Sequence, residues 1–551
     1  LFAASCGGDD DDSATEGEGG GDAAAEEGVA GGEFVDLGTF VGDPPEHIDP
    51  ALNVTLDAYQ VVNSLYDGLT DIDASDPDNP VIKPQVAESY EANEDATVWT
   101  FTIREGLKFS DGTDVLPSSF QRAWERASNP DFAGDYSYLF SFIDGGQEKL
   151  DGEADTLSGV EADDEAMTLT VTLAAPYSNF DAVAGFQIFM PMPEAAEEGD
   201  PNDWENGLMI GNGPFMLESP RTDEEIVLVP NPEWDGTKYD EAFDLPETPF
   251  LEKLTFRTIA DPDTSYNSFE AGEGNNANIP PDRVQEADDN YPTTLDVAIL
   301  GSYHFEIKAD DPVVGGPENK LLRQAISQAI DRDTINERVY NGSRTVSTGV
   351  TPPGIPGFKE GLCDYCAYDP EAAQQAFDDW KADGNELTEP IKIQFNLDAG
   401  HEPVVDIMIE NLDAIGIQAE REGIDSETYF TQLSEGACQI CRSGWFADYP
   451  TYDNFMYDLF HSDSIGGNNH GFYSNPEFDD LVDEAKATVD KDEQADLFNQ
   501  AETILLNDDI GVIPIVWYRG DYAYSEDLAS FPETNFGLII WEKVSFKDGA
   551  A

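Results

Sequence analysis

Basic residues are scarce in this chain of 551 residues: 27 Lys and Arg stand against 114 Asp and Glu, a formal net charge of −87. A surface of that sign repels phosphate backbones and anionic membrane faces, which argues against nucleic-acid binding. Residues 1–33 hold 10 acids and no base, so most of the excess belongs to the rest of the chain. Long apolar runs are missing too, and no stretch reaches the roughly 18 residues that a membrane-spanning helix needs. Histidine is sparse: His47, His304, His401, His461 and His470 are scattered without metal-ligand spacing, and neither H-E-x-x-H nor G-x-S-x-G occurs. The expectation is a chain with no catalytic centre, no metal and no cofactor.

Cysteine is limited to five residues. Cys6 follows Ala3, Ala4 and Ser5 in "LFAASC", which resembles a bacterial lipobox with Ala3 at the usual leucine position. That likeness implies a lipid on the Cys6 sulfur. The Gly/Ala/acid tract that follows, to residue 33, cannot pack and reads as a tether holding a folded body off a membrane. Cys363, Cys366, Cys438 and Cys441 form two C-x-x-C pairs. In a cytosolic protein these would suggest zinc, but export oxidises thiols and favours two disulfides. Their pairing stays open. "CQICRSGW" reads as the start of a strand, which would hold Cys438 and Cys441 about 10 Å apart, whereas disulfide Cα atoms lie within about 7 Å. Either a bulge lets them bond, or they bridge to the 363–366 loop.

Hydrophobic residues make up 40% and aromatics 11%, enough to bury a core despite the charge. "WTFTIR" at 99–104 and "TLTVTL" at 168–173 alternate as half-buried strands, and "SSFQRAWERA" places Phe120, Ala123, Trp124 and Ala127 at helical spacing. "LLRQAISQAIDRDTINERVYNG" reads as one core helix stopped at Gly342. Residues 391–422 read as strand, helix, strand, which predicts parallel strands joined by a right-handed crossover. The class is α/β.

The segments "EHIDP", "VVNSLYDGL", "PQVAESYEANEDATVWTFTIREGLKFSDGTDV", "GNGPFMLES", "VPNPEWDG", "YDPEAAQQAF" and "RSGWFADYPTYDNFMYDLF" occur in an order and spacing that resembles extracytoplasmic solute-binding proteins of the peptide, nickel and opine type, family 5, and within them the oligopeptide binders. The resemblance implies a two-lobed type II periplasmic-binding-protein fold with an additional domain and a discontinuous first lobe. On this sequence it implies a tether at 1–33, first-lobe segments at 34–78, 205–305 and 516–551, the additional domain at 79–204 and the other lobe at 306–515. It further implies a monomer anchored outside the cytoplasm, which binds peptides in a closing cleft and delivers them to the permease of an ABC importer. Asp448, in "GWFAD", falls where the family's peptide binders pair with the ligand's α-amino group. Arg442 and His401 fall near the place of its carboxylate, and Trp445, Tyr303 and Phe305 are expected pocket walls.

Departures from the family pattern are the asparagines of "GEGNNANIPPD" and Phe446 in place of a cysteine; both bear on pocket shape. The same fold could instead carry an oligosaccharide, an opine or a metal chelate, and a structural surface lipoprotein would need none of these segments. So acidic a chain repels itself, and salt screens that repulsion beyond about 8 Å at physiological ionic strength. In a thermal melt the expected outcome is a higher melting temperature in molar salt than in dilute buffer; identical melting would remove the case for adaptation to a saline habitat.

Overall fold

The computed structural model describes residues 28–73, 80–132, 134–197, 201–207, 209–239, 243–397 and 400–550. Cys6 and residues 1–27 of the expected tether lie outside the described residues.

One four-stranded sheet has the order Glu33–Asp36, Lys253–Arg257, Glu225–Pro230, Phe215–Leu217. Its first pair is parallel, with Phe34 opposite Leu254, so the chain returns more than two hundred residues later to lie beside its start. Phe34, Leu254 and Phe256 share a core with Trp541 and Phe546, which brings the C-terminal segment onto the same body.

A second four-stranded sheet is antiparallel throughout, in the order Ala87–Ala92, Val98–Ile103, Thr168–Thr172, Val160–Asp163. Trp99, Phe101 and Ile103 point inward on alternate positions, as the sequence pattern requires. They share a core with Phe120 and Trp124 of the helix Pro117–Ala127.

The third sheet carries the site. It is mixed and six-stranded, in the order Thr345–Val346, Val512–Arg519, Ala298–Ile307, Ile440–Phe446, Ile391–Asn396, Ala419–Ile424. Strands Ile391–Asn396 and Ala419–Ile424 are parallel and joined through the helix Glu402–Ala414, the crossover read from the sequence.

Two local readings change. The expected single helix over 321–342 is two, Lys320–Ala329 and Arg332–Val339. Asp331 caps the second, accepting from the Thr334 amide at 3.0 Å. Arg332 is buried beside it and donates to the carbonyls of Ser327, Cys366 and Pro514, so the break ties the helix pair to the 363–366 loop and to strand Val512–Arg519. Gly342 does terminate the second helix, at φ +77° with its amide on the Asn336 carbonyl.

The strand expected to begin at Cys438 begins at Ile440. Cys438 therefore sits on the bend before it, 5.9 Å in Cα from Cys441, and these two are bonded to each other. Cys363 and Cys366 are likewise bonded, at a Cα separation of 5.5 Å, so no bridge joins the two pairs.

Candidate functional site

The site grows from the pleat of strand Ile440–Phe446. Its antiparallel register sets Arg442 opposite Phe305, Gly444 opposite Tyr303 and Trp445 opposite Ser302. Directly opposed residues share a face and successive residues alternate. Arg442 therefore lies with Tyr303 and Phe305, while Trp445 emerges on the other side. The expected site residues are divided between two faces of one sheet.

Asp448 stands just past the strand, on the Trp445 side. Asn454, at the start of the helix Asp453–Phe460, holds it in place. Its Oδ1 accepts from the Asp448 amide at 3.0 Å and from Trp445 Nε1 at 2.9 Å. Its Nδ2 donates to Asp448 Oδ2 at 3.1 Å and to Asp458 Oδ2 at 2.8 Å. The Tyr136 hydroxyl, from the unit built on the antiparallel sheet, donates to Asp448 Oδ1 at 3.0 Å. Every one of these donors is neutral. Burial pushes the Asp448 carboxyl up to about 7, against the opposing pull of the Asn454 and Tyr136 hydrogen bonds.

Asp448 lines a cavity of about 540 Å³ together with Tyr59, Asp71, Leu245, Glu533, Phe536 and Glu542. A carboxyl that borders a cavity and has only neutral partners is set up to receive a cation.

On the opposite face the Arg442 guanidinium lies 5.0 Å from the centroid of the Tyr303 ring. A Cβ on Gly444 would come within 3.2 Å of Arg442 Nη2 and 3.0 Å of the Tyr518 hydroxyl, so glycine leaves room for that packing. Tyr303 Oη meets His401 Nδ1 at 3.2 Å. Burial and the nearby Arg442 push the His401 imidazole down to about 3, which keeps it neutral. Arg442 Nε and His401 Nε2 are both buried without a hydrogen-bond partner among the described residues.

The family profile described as bacterial extracellular solute-binding proteins, family 5, middle region, matches residues 81–467. The chain belongs to this family. It is 26% identical over 507 residues to the oligopeptide-binding protein OppA of Bacillus subtilis (strain 168), covering 88% of each chain. It is 28% identical over 493 residues to the periplasmic oligopeptide-binding protein OppA of Escherichia coli (strain K12), covering 87% of this chain and 86% of that one. The crystal structure of Haemophilus influenzae OppA in complex with RPPGFSPFR superposes with a TM-score of 0.73 at 25% identity, covering 95% of this chain and 100% of that one. The architecture is thus the two-lobed type II α/β fold of the solute-binding proteins.

Within this family 5 protein, three expected wall residues are placed differently. Phe305 is fully buried and Tyr303 is 2% exposed, both in the core formed with Leu322 and Ile326 of the helix Lys320–Ala329. Trp445 is half-buried and anchors Asn454 instead. None of the three lines the 540 Å³ cavity, and neither do Arg442 and His401. Alternation identified strand faces, but which face a helix covers depends on packing from distant segments. Asn454 and Tyr136 went unnoticed in the sequence; the first lies inside the quoted "YPTYDNF" run, and nothing local marks the second.

Other buried acids share the upward displacement. Burial pushes Asp67 up to about 7, and Asp458 is raised by burial and by the adjacent Asp448 and Asp453. Such groups hold protons near neutrality that an unfolded chain, with carboxyls near 4, has already released. The native state binds more protons, so stability falls as pH rises from about 4 through 7 and beyond. The ligand-free protein should melt at a higher temperature at pH 5.5 than at pH 8, with a shallower dependence in Asp448→Asn. A melting temperature that climbs toward pH 8 would contradict this assignment.

Proposed function

We propose that this solute-binding protein is a receptor for peptides with a free amino terminus, which Asp448 anchors at the cavity wall. The observation that carries the reading is the Asp448 carboxyl, held by Asn454 and Tyr136 and bordering a 540 Å³ cavity, with no cationic partner among the described residues. A ligand ammonium would supply that charge and favour the ionised acid. Relatives named for oligopeptide binding, one of them crystallised with a nine-residue peptide, support the ligand class.

The proposal extends to delivery of the peptide to an ABC-importer permease by a monomer anchored through lipidated Cys6 outside the cytoplasm. It includes no catalysis, no metal and no cofactor. The first lobe would comprise residues 34–78, 205–305 and 516–551, the other lobe 306–515, and the additional domain 79–204. Arg442 and His401 would meet a carboxylate only from a ligand that reaches their side of the sheet, with Tyr303 as support. Trp445 then acts by positioning Asn454, and Phe305 by packing.

Calorimetric titration of a free peptide and its N-acetylated form tests the reading. Asp448→Asn should weaken the free peptide by about tenfold or more, the worth of a charged hydrogen bond, and leave the acetylated form much less affected. Wild-type affinity for the free peptide should fall as pH drops below about 7, where Asp448 takes up its proton. Equal losses for both peptides would refute the amino-anchor role.

A further inference from the structure

Composition alone accounts for acids on the surface, where water solvates them, but not for acids around a cavity. The charged residues lining the 540 Å³ cavity are Asp71, Asp73, Asp296, Asp448, Glu533 and Glu542 against a single base, Lys543. Two of the acids are engaged outward, Asp73 with Lys83 at 2.8 Å and Asp296 with Arg519 at 3.4 Å. Lys543 spends its ammonium on the Phe243 carbonyl.

That leaves three acids besides Asp448. Asp71 accepts from neutral donors, the Ile72 amide at 2.7 Å and Gln85 Nε2 at 3.2 Å. Glu533 is half-buried, with the neutral Thr294 as a polar neighbour. Burial pushes the Glu542 carboxyl up to about 8, and the charges of Asp67 and Asp71 act in the same direction. Asp71 is raised to about 6 and Glu533 to about 8, burial being the main cause in both. Lys543 and Arg344 reach these acids only through the field, with no ion-pair contact among the described residues.

The wall also presents the apolar side chains of Ile72, Leu245, Phe536, Leu538 and Ile540, beside the neutral polar Asn63, Thr534 and Asn535. A cavity wall that offers both apolar side chains and carboxyls matches an aliphatic stem that ends in a cation.

We infer that, given the peptide reading above, the cavity selects ligands carrying a second cation on a lysine- or arginine-type side chain, with Glu542 and Asp71 as the specificity-determining acids. Asp448 takes the terminal ammonium, and the side-chain cation relieves the repulsion between the other two carboxylates. The ligand class is a basic peptide, not a peptide of any composition.

The test compares Ala-Lys-Ala with Ala-norleucine-Ala, which keeps the stem and removes the ammonium. Dissociation constants are measured by calorimetry in 0.15 M and 1 M NaCl for the wild type, Glu542→Gln and Asp71→Asn. The wild type should prefer the lysine peptide by about tenfold or more. Most of that preference should survive molar salt, where the Debye length is about 3 Å and the general field of the acidic surface is screened. It should shrink at least several-fold in Glu542→Gln, or in Asp71→Asn where the first variant fails to fold.

Equal affinity of the two peptides for the wild type would overturn the inference while leaving the peptide reading intact. So would a preference that vanishes in molar salt, or one that persists unchanged in both variants. Absence of binding by either peptide would instead overturn the reading beneath it.

Discussion

The antiparallel pairing of Ile440–Phe446 with Ala298–Ile307 is the constraint on which the site depends. Side chains alternate across a sheet, so the register Arg442 to Phe305 decides every orientation in this segment at once. A slip of one residue would exchange the places of Arg442 and Trp445. The glycine between them permits the close packing of Arg442 and Tyr518. The Cys438–Cys441 bond secures the bend at which the strand begins.

Beyond the strand, the arrangement around Asp448 is held by one buried amide. Asn454 bonds the Asp448 backbone, its carboxyl, the Trp445 indole and Asp458. Tyr136, in the helical turn Asp135–Phe142 that packs against the core of the antiparallel sheet, adds a contact from a second part of the protein. Pre-positioning of this kind lowers the ordering cost of binding. Among the described residues its hydrogen-bond partners are all neutral. The opposite face has the reverse character: a guanidinium over an aromatic ring, beside a histidine kept neutral.

The acidity of the chain thus has two separate consequences. On the surface it produces repulsion that salt screens, and in the cavity it produces carboxyls displaced toward neutrality that a bound cation can restore to charge. Asp73 and Asp296 mark the boundary between these regimes, since each is already paired with a base. Asp71, Glu533 and Glu542 lie inside it.

The α/β class, the alternating strand at Val98–Ile103 and the crossover through Glu402–Ala414 were legible in the sequence, because periodicity and local motifs are properties of neighbouring residues. The helix break at Asp331 was less so, since the buried Arg332 that accompanies it is satisfied by carbonyls far along the chain. The sequence by itself determined a strongly acidic chain of the solute-binding family, with Asp448 in one of the family-like segments. Only the tertiary structure decided that Tyr303 and Phe305 belong to the core, that Trp445 and Arg442 face apart, that Tyr136 and Asn454 bond Asp448, and that Asp71, Glu533 and Glu542 line the cavity it borders. Burial and contact are set by segments hundreds of residues apart, and no local pattern encodes which of two strand faces those segments will cover.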